Sequence, residues 1–593
     1  MPREQAEHQL RRMVEAINHR SLYSVGTWVD ESIGVYVGWT ARHHSFSDGM
    51  PLRNEREDLV LIFSGDEIPE PETERELKGR GHAFDPDGPE YLVHLAEEDP
   101  NFPRGLNGKF HGLLIDRKRG KATVFNDRYG MHRLYYHVSR EAFYFAAEAK
   151  AILAVRPECR WIDGRGMGEL IACGCVLEDR TIFRGVHVLP CAASWVFRNG
   201  AIEEKKQYFH PREWEEQDSL TPATYDREIR DTFARKLPQH FKGREPIGMS
   251  LTGGLDTRMV MAWQRREPGS LPCYTFGGTF RDCADVRVAR QVAGACGQSH
   301  QVITVGGEFL RRFHQYAEQT VYSTDGCAEV NRAPDLYLNQ IAGQIAPVRM
   351  TGNYGGEILR RVRAFKPVEP VSGLLDGDLL AFVHQAQDTY SRLLGGHPLS
   401  FALFRQSPWH HYGLLALEQT QVSLRSPFLD NDFIRTVFRA PASTLASNDV
   451  CLQLITDGRP ALRAIPTDGG PIDGLWSPAF RRWAEFMRKA EYAYDVGMPQ
   501  WLVPIDRALN RVGLERLFLG RQKFAHFRFW YRGALSRYVK DVLLDRRTLS
   551  RSYLNRTAVE RVVTNHLDGH RNHTFEIHKL LTLELVHRLF VDA

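Results

Sequence analysis

Apolar residues recur at two spacings along this chain, and the change between them divides it. Residues 4–18 place Leu10, Met13, Val14 and Ile17 on one helical face. Short alternating runs bounded by turn residues follow at 33–39, 59–64, 112–116, 121–126, 133–138, 142–146, 186–189 and 194–198. The last closes on Asn199-Gly200, a strong hairpin signal between apolar runs. The first two hundred residues are therefore predicted to be mostly antiparallel β with a few helices.

The polar stretch 210–222 carries Pro211 and Pro222 and reads as a boundary. It separates a domain at 1–210 from one at 223–593, with 211–222 as linker. Beyond it, a helix at about 224–241 precedes a strand at 246–251, and a helix at 259–265 precedes a strand at 271–276. A helix at 284–296 and a strand at 301–305 continue the alternation, which predicts a parallel sheet with crossover helices. From about 375 the pattern is largely helical and ends in an apolar helix at 575–590. The fold class is α/β overall: an N-terminal α+β antiparallel-sheet sandwich, then an α/β parallel-sheet unit with a helical C-terminal part.

Composition changes this picture little. With 593 residues, two or three domains are expected, and 42% hydrophobic with 25% charged residues is ordinary globular usage. A formal net charge of +4 gives no case for nucleic acid or a membrane surface as partner. No apolar run is long enough to span a bilayer, and the polar first twenty residues lack a signal core, so a cytoplasmic protein is expected. The nine cysteines form no Cys-x-x-Cys pair and fit a reducing compartment. His43-His44, His410-His411 and the group His570, His573, His578 lack metal-ligand spacing and read as surface or core histidines.

The candidate chemistry lies in Ser250-Leu251-Thr252-Gly253-Gly254-Leu255-Asp256-Thr257-Arg258, where the 246–251 strand runs through two glycines into a helix. Such a turn presents backbone N–H groups at a helix N-terminus, a ready phosphate site. The Walker pattern is absent, because no Gly-Lys-Ser/Thr follows. In a parallel sheet, ligands bind at the carboxyl ends of strands, which is where this loop falls. The alternative is a plain strand-to-helix turn with Asp256 as a charge in the helix's first turn.

The loop resembles the Ser-Gly-Gly-x-Asp-Ser pyrophosphate loop of ATP pyrophosphatases, with threonine at both hydroxyl positions. Read outward, the chain resembles the asparagine synthetase family: a glutaminase-type, Ntn-hydrolase-like domain followed by an ATP-dependent synthetase domain. Leu106-Asn107-Gly108-Lys109-Phe110 with Asp116, Asn126-Asp127-Arg128-Tyr129-Gly130 with Leu134-Tyr135-Tyr136, and Ala147-Glu148-Ala149-Lys150-Ala151 resemble its glutaminase-domain motifs. The stretch 183–190 resembles the strand before its linker, and Arg425-Ser426-Pro427-Phe428-Leu429-Asp430 matches its Arg-x-Pro-Phe-Leu-Asp. Order and spacing together carry the resemblance.

The resemblance implies ATP and Mg²⁺ as cofactors and assigns roles. Thr252, Gly253, Gly254, Asp256 and Thr257, with Ser250 and Leu251 leading in, would cradle the β,γ-phosphates, and Asp256 would hold Mg²⁺. Tyr274-Thr275-Phe276-Gly277 would meet adenine, with Phe276 at the strand end, and Thr351 and Gly352 would lie near the ribose and α-phosphate. Lys523, in Arg521-Gln522-Lys523, would stabilise the reacting phosphate; otherwise it is a surface lysine. The reaction implied is adenylation of a carboxylate with pyrophosphate release, then attack by an amine.

Two departures bear on this. The family's glutaminases begin Met-Cys, with that cysteine as nucleophile, whereas this chain reads Met1-Pro2-Arg3, and its first cysteine is Cys159. Ser64-Gly65-Asp66 stands where the family has Asn-Gly-Glu. An inactive glutaminase-like domain is expected, a misassigned start being the alternative. Second, the family's Ser-Gly-Glu-Gly-Ser-Asp-Glu appears as Thr351-Gly352-Asn353-Tyr354-Gly355-Gly356-Glu357. Asn353 and Gly356 replace acids, leaving Glu357 as catalytic acid and second metal ligand, or as a helix-start charge.

The expected function is an ATP-dependent amide-forming ligase that takes its amine from elsewhere, as in relatives without the cysteine such as β-lactam synthetases and lasso peptide cyclases. Ammonia-dependent asparagine synthesis and a non-catalytic ATP-binding module are the alternatives. A small-molecule or peptide carboxylate and an amine donor are the expected partners, and a homodimer stays open.

Overall fold

The computed structural model describes residues 1–19, 23–444, 447–472, 477–497, 500, 503 and 519–592. Helix α1 (Arg3–Ile17) turns the expected apolar face inward, with Val14 buried. It covers the antiparallel pair β1 (Tyr23–Asp30) and β2 (Val35–Arg42). Gly38 is required there: a Cβ on it would stand 2.4 Å from Val14 Cγ2. Strand β1 has no counterpart among the sequence expectations, because Gly26 interrupts its apolar run and most of the strand is only half-buried.

Strands β3 (Leu52–Arg53), β4 (Leu59–Glu67), β5 (Gly108–Asp116), β6 (Lys121–Asn126), β10 (Ala193–Arg198) and β11 (Ala201–Gln207) form a six-stranded sheet ordered β11-β10-β6-β5-β4-β3. Side-chain alternation gives it two apolar faces. Val60, Ile62, Ile115, Val124 and Trp195 pack on one side, with Trp28, Val37 and Trp39 of the β1–β2 pair against them. Leu61, Phe63, Phe110 and Phe125 pack on the other, beneath helices α2 (Pro71–Gly79) and α3 (Tyr91–Glu98). The predicted Asn199-Gly200 turn joins β10 to β11 with φ of 50° and 74°, the left-handed pair that such a tight hairpin needs. A second small sheet, β8-β7-β9, comprises β7 (Tyr135–Val138), β8 (Phe143–Ala146) and β9 (His187–Val188).

The stretch between the sheets is packed rather than loose: Trp214, in the helix Arg212–Glu215, is buried against Phe209, Phe404 and Phe438. Beyond it the strands run parallel in the order β14-β13-β12-β15-β16. These are β12 (Ile247–Ser250), β13 (Cys273–Gly278), β14 (His300–Val305), β15 (Val348–Met350) and β16 (Ser423–Arg425). β15 and β16 are three residues each, too short to show a period. The order reverses at β12, which has β13 on one side and β15 on the other. A crevice opens at such a reversal, outside the carboxyl ends of the strands. The C-terminal helix Thr574–Val586 buries Ile577, Leu580 and Leu581 as its pattern required. Among the described residues no helix is long and apolar enough to cross a membrane, and all nine cysteines are free thiols.

Candidate active site

Strand β12 ends at Ser250 at the reversal point, and helix α4 (Asp256–Trp263) starts after a five-residue loop. Leu251 is buried and anchors the loop from below. Gly253 is enclosed: a Cβ there would meet Asp468 Cβ at 2.9 Å and Asp285 Oδ1 at 3.1 Å. Gly254 faces open space, with only Thr252 Oγ1 at 3.6 Å from such an atom. Thr257 Oγ1 accepts from Thr252 N at 3.3 Å and lies 3.3 Å from Thr252 Oγ1, which closes the loop on itself. No side chain caps α4, so its first N–H groups are left for an anion.

Carboxylates crowd this mouth. Asp256 receives both guanidinium nitrogens of Arg360, at 2.8 and 2.9 Å. Burial lifts the Asp256 carboxyl, and Arg360 opposes the lift. Arg360 is the last residue of helix α6 (Gly355–Arg360); helix α5 (Ala284–Ala295) precedes it in the chain. Its guanidinium fills the space that a side chain at position 356 would take: a Cβ on Gly356 would lie 3.0 Å from Arg360 Nη2. Asp285, in the first turn of α5, accepts from Gly253 N at 2.6 Å, and burial pushes it up to about 6. Asp468 donates its backbone N–H to Gly253 O at 3.1 Å, and its charge is felt by Asp256 and Asp285. Glu357 pairs with His411 at 3.3 Å; burial raises its carboxyl, but His411, together with the Glu357 backbone N–H and Arg360, holds it below the ordinary range.

The segment after β15 closes the other side. Gly352 lies against the loop so tightly that a Cβ would stand 2.6 Å from Thr257 N. Thr351 Oγ1 donates to Asn353 Oδ1 at 2.9 Å, and Ser426 donates to Asn353 O at 2.7 Å. Tyr354 holds a left-handed φ of 73°, a strained backbone for a bulky residue. Ser250 does not face the mouth; its hydroxyl is buried and accepts from Arg349, which pairs with Glu418. Phe276, two residues before the end of β13, carries the Arg349 guanidinium 4.9 Å from its ring centre.

Lys523 belongs to the same end of the sheet. Ala284 N donates to Arg521 O at 2.7 Å, and a Cβ on Gly278 would meet Phe524 O at 3.1 Å, so the irregular stretch 521–524 lies across the end of β13 and the start of α5. Buried Glu491 accepts from Gly520 N and Gln522 N at 2.8 Å and from Lys523 N at 3.3 Å, which shapes this turn. Lys523 Nζ stands 4.5 Å from the Tyr492 ring centre. Burial pulls its ammonium below the usual lysine range, against the charges of Asp495 and Glu491.

Two family models match the chain. A glutamine amidotransferase domain model matches residues 1–209, and an asparagine synthase model matches residues 228–363 and 507–588. The chain belongs to the asparagine synthetase family. It is 25% identical over 388 residues to asparagine synthetase [glutamine-hydrolyzing] 1 of Bacillus subtilis, covering 62% of this chain and 59% of that one. It is 22% identical over 382 residues to amidase chry2 of Gibberella zeae, covering 59% and 56%. Against asparagine synthetase B [glutamine-hydrolyzing] of Escherichia coli it is 25% identical over 270 residues, covering 43% of each chain. The chain thus spans between two fifths and three fifths of these relatives' lengths.

Within the asparagine synthetase frame, sequence reasoning missed Asp285, Arg360, His411 and Asp468. Asp285 had a readable signal, since it begins the helix after the strand beside the loop. Arg360 had one too: it stands four residues after Gly356, on the same helical face. Asp468 and His411 come from distant segments, and only the fold brings them in.

Proposed function

We propose that this chain is an ATP-dependent carbon–nitrogen ligase that adenylates a carboxylate. The carrying observation is the loop at the reversal point of the parallel sheet, with Gly254 open, α4 uncapped and Lys523 arriving across β13. A substrate carboxylate oxygen would attack the α-phosphorus, the bond to the β-phosphate oxygen would break, and pyrophosphate would leave. An amine nitrogen would then attack the acyl carbon, the bond from acyl carbon to phosphate oxygen would break, and AMP would leave as the amine loses a proton. The loop N–H groups hold leaving phosphates, and the Lys523 ammonium offers positive charge where oxygens gain negative charge.

The donor set suits a phosphate-bound divalent cation: buried carboxylates gather here, and a guanidinium already stands on Asp256 as a positive stand-in. Asp256 and Glu357 would hold Mg²⁺, which would supply charge neutralisation on the phosphates. For Asp256 this requires Arg360 to release its oxygens, and for Glu357 it requires His411 to do so.

The amine is proposed to come from outside the amidotransferase-like domain. Burial pushes the thiols of Cys159 and Cys191 up to about 11 and that of Cys173 up to about 12, and it lifts that of Cys175 well above the usual thiol range. A glutaminase nucleophile needs the opposite shift. A cytoplasmic location, a small-molecule or peptide carboxylate as substrate and free ammonia as an alternative nitrogen source belong to the same proposal. The double hydrogen bond from Arg360 to Asp256 favours a second reading, an ATP-binding protein without turnover. Pyrophosphate release from ATP, measured with a panel of amino-acid carboxylates and with ammonium or amine donors, separates the two. Release dependent on a carboxylate and lost in Asp256→Ala supports ligation; ADP and phosphate as products, or release unchanged by the substitution, overturns it.

A further inference from the structure

Outside this site, two histidines and two glutamates from three separate segments converge on the outer face of the amidotransferase-like domain. Glu55, His82, His94 and Glu97 each offer one ligand atom, and these atoms all lie within 4.8 Å of one another. Three local structures bring them together. Glu55 sits in the tight turn between β3 and β4, where Asn54 N donates to Leu59 O and Asn54 Oδ1 accepts from Leu59 N. His82 follows Gly81, whose φ of 97° ends α2; His82 N returns to Leu77 O and Gly81 N to Lys78 O, the hydrogen-bond pair of a Schellman close. His94 and Glu97 lie three residues apart on α3, hence on one face.

The donors point inward. His82 Nδ1 and His94 Nδ1 each face Glu55, at 3.5 Å from its two carboxylate oxygens. The His82 and His94 rings lie 4.6 Å apart, too close for two imidazolium ions without a charge between them. His94 is 4% exposed, and its Nδ1 is buried without a hydrogen-bond partner. A buried ring nitrogen that faces a carboxylate without a hydrogen bond to it is free to act as a ligand. The outer contacts fit as well. Glu98 Oε1 lies 3.2 Å from His82 Nε2 and accepts from it, as a carboxylate behind an imidazole ligand would. Asn54 Nδ2 and Arg56 hold the Glu97 carboxylate.

We infer that Glu55, His82, His94 and Glu97 form a binding site for a zinc-like divalent transition metal. Two imidazoles and two carboxylates suit Zn²⁺ in a tetrahedron, whose neighbouring ligand atoms sit roughly 3.4 Å apart, so only a small contraction is needed. Four protein ligands leave no open position, which makes the site structural. The metal pins the β3–β4 turn to α2 and α3, over the apolar face that holds Phe63 and Phe110.

The test uses the full chain, stripped with chelator and dialysed against Zn²⁺ or Co²⁺. The expected result is about one bound equivalent, a visible ligand-field band of tetrahedral intensity with Co²⁺, and a melting temperature that rises with metal concentration. Glu55→Gln, at an exposed position, and His82→Gln, at a partly buried one, are expected to remove the band and the metal-dependent rise. Their metal-free circular dichroism is expected to stay that of the parent. Glu98→Gln is expected to keep the band but bind about 10–100-fold more weakly. Substoichiometric binding by the parent overturns the site, and so does a band or metal-dependent melting retained in the Glu55→Gln, His82→Gln double variant.

Discussion

The two sheets of this protein treat their family motifs in opposite ways. In the antiparallel region most polar groups of the motifs are held by protein partners. Asn107 donates to Asp430 at 2.7 Å and its amide oxygen accepts from Asn431 N at 3.0 Å, while Lys109 donates to Leu424 O. Asp127 accepts from the backbone of Tyr129, Met131 and His132, and Lys150 bridges Glu148 and Asp325. In the parallel region the motif leaves groups open: Gly254 faces space, α4 has no cap, and Tyr354 holds a strained backbone. Saturated polar groups hold a structure in place, whereas open groups and local strain mark where a ligand is to be received. The same family signature is therefore closed by internal contacts in one half and left open in the other.

The sharpest way to break that contrast is to cut those internal contacts. Asp430 caps helix α7 (Asn431–Phe438) through Asp432 N and Phe433 N, and it also receives Asn107 from the other region. It is 1% exposed, and burial, which would raise its carboxyl, is outweighed by His240, Lys236 and Asn107. Asp430→Ala strands the Asn107 amide, removes the cap and leaves Lys236 with one acid fewer. It is expected to cost about 3–5 kcal/mol in urea unfolding. A loss below about 1 kcal/mol would mean that the two regions do not depend on this contact.

Changes on the open side should do the reverse. Asp256→Ala is expected to lower pyrophosphate release on the order of 10²–10³-fold with the melting temperature kept within a few degrees, since Asp256 lines the mouth rather than the core. Loss of folding with loss of turnover would place Asp256 among the saturated groups. Lys523→Ala is expected to cost roughly 10–10²-fold, mostly in kcat, with Lys523→Arg partly active. An effect on KM alone would reduce Lys523 to ground-state binding of ATP.

Much of this was legible from pattern alone. The alternation at 121–126 is strand β6 residue for residue, and Asn199-Gly200 is the turn it promised. Strand β1 escaped because Gly26 breaks its period, and β15 and β16 because three residues have none. For the site, the loop and its place at a strand end could be read, because a glycine pair between strand and helix has a local physical meaning. The partner of Asp256 could not be read so directly. A guanidinium one helical turn past Gly356 acts only once α6 is folded beside α4, and the bond that Asp285 makes to Gly253 crosses 32 residues.

Asp285 gives the finest test, because Asp127 is its counterpart in the other region. Burial pushes both up to about 6, but the two are held differently. Asp127 is bonded by three backbone N–H groups, whereas Asp285 has Gly253 N and faces the charge of Asp468. A carboxyl raised in the folded state contributes stability that is fully present below its unfolded value near 4, and that stability is lost as pH rises through about 6. Asp285→Asn keeps an acceptor for Gly253 N and removes the charge. It is therefore expected to stabilise the protein above pH 6 by about 1–2 kcal/mol, less than the roughly 3 kcal/mol that two units would give in a fully dry site. The gain should vanish below about pH 4, where the parent carboxyl is already neutral in both states. Asp127→Asn should gain less, because the three N–H donors that favour its charge lose strength when the acceptor is neutral. Melting curves of both variants between pH 4 and 8 decide it. An equal gain for the two would mean that burial alone sets both groups, and that the open mouth around Asp285 carries no extra electrostatic load.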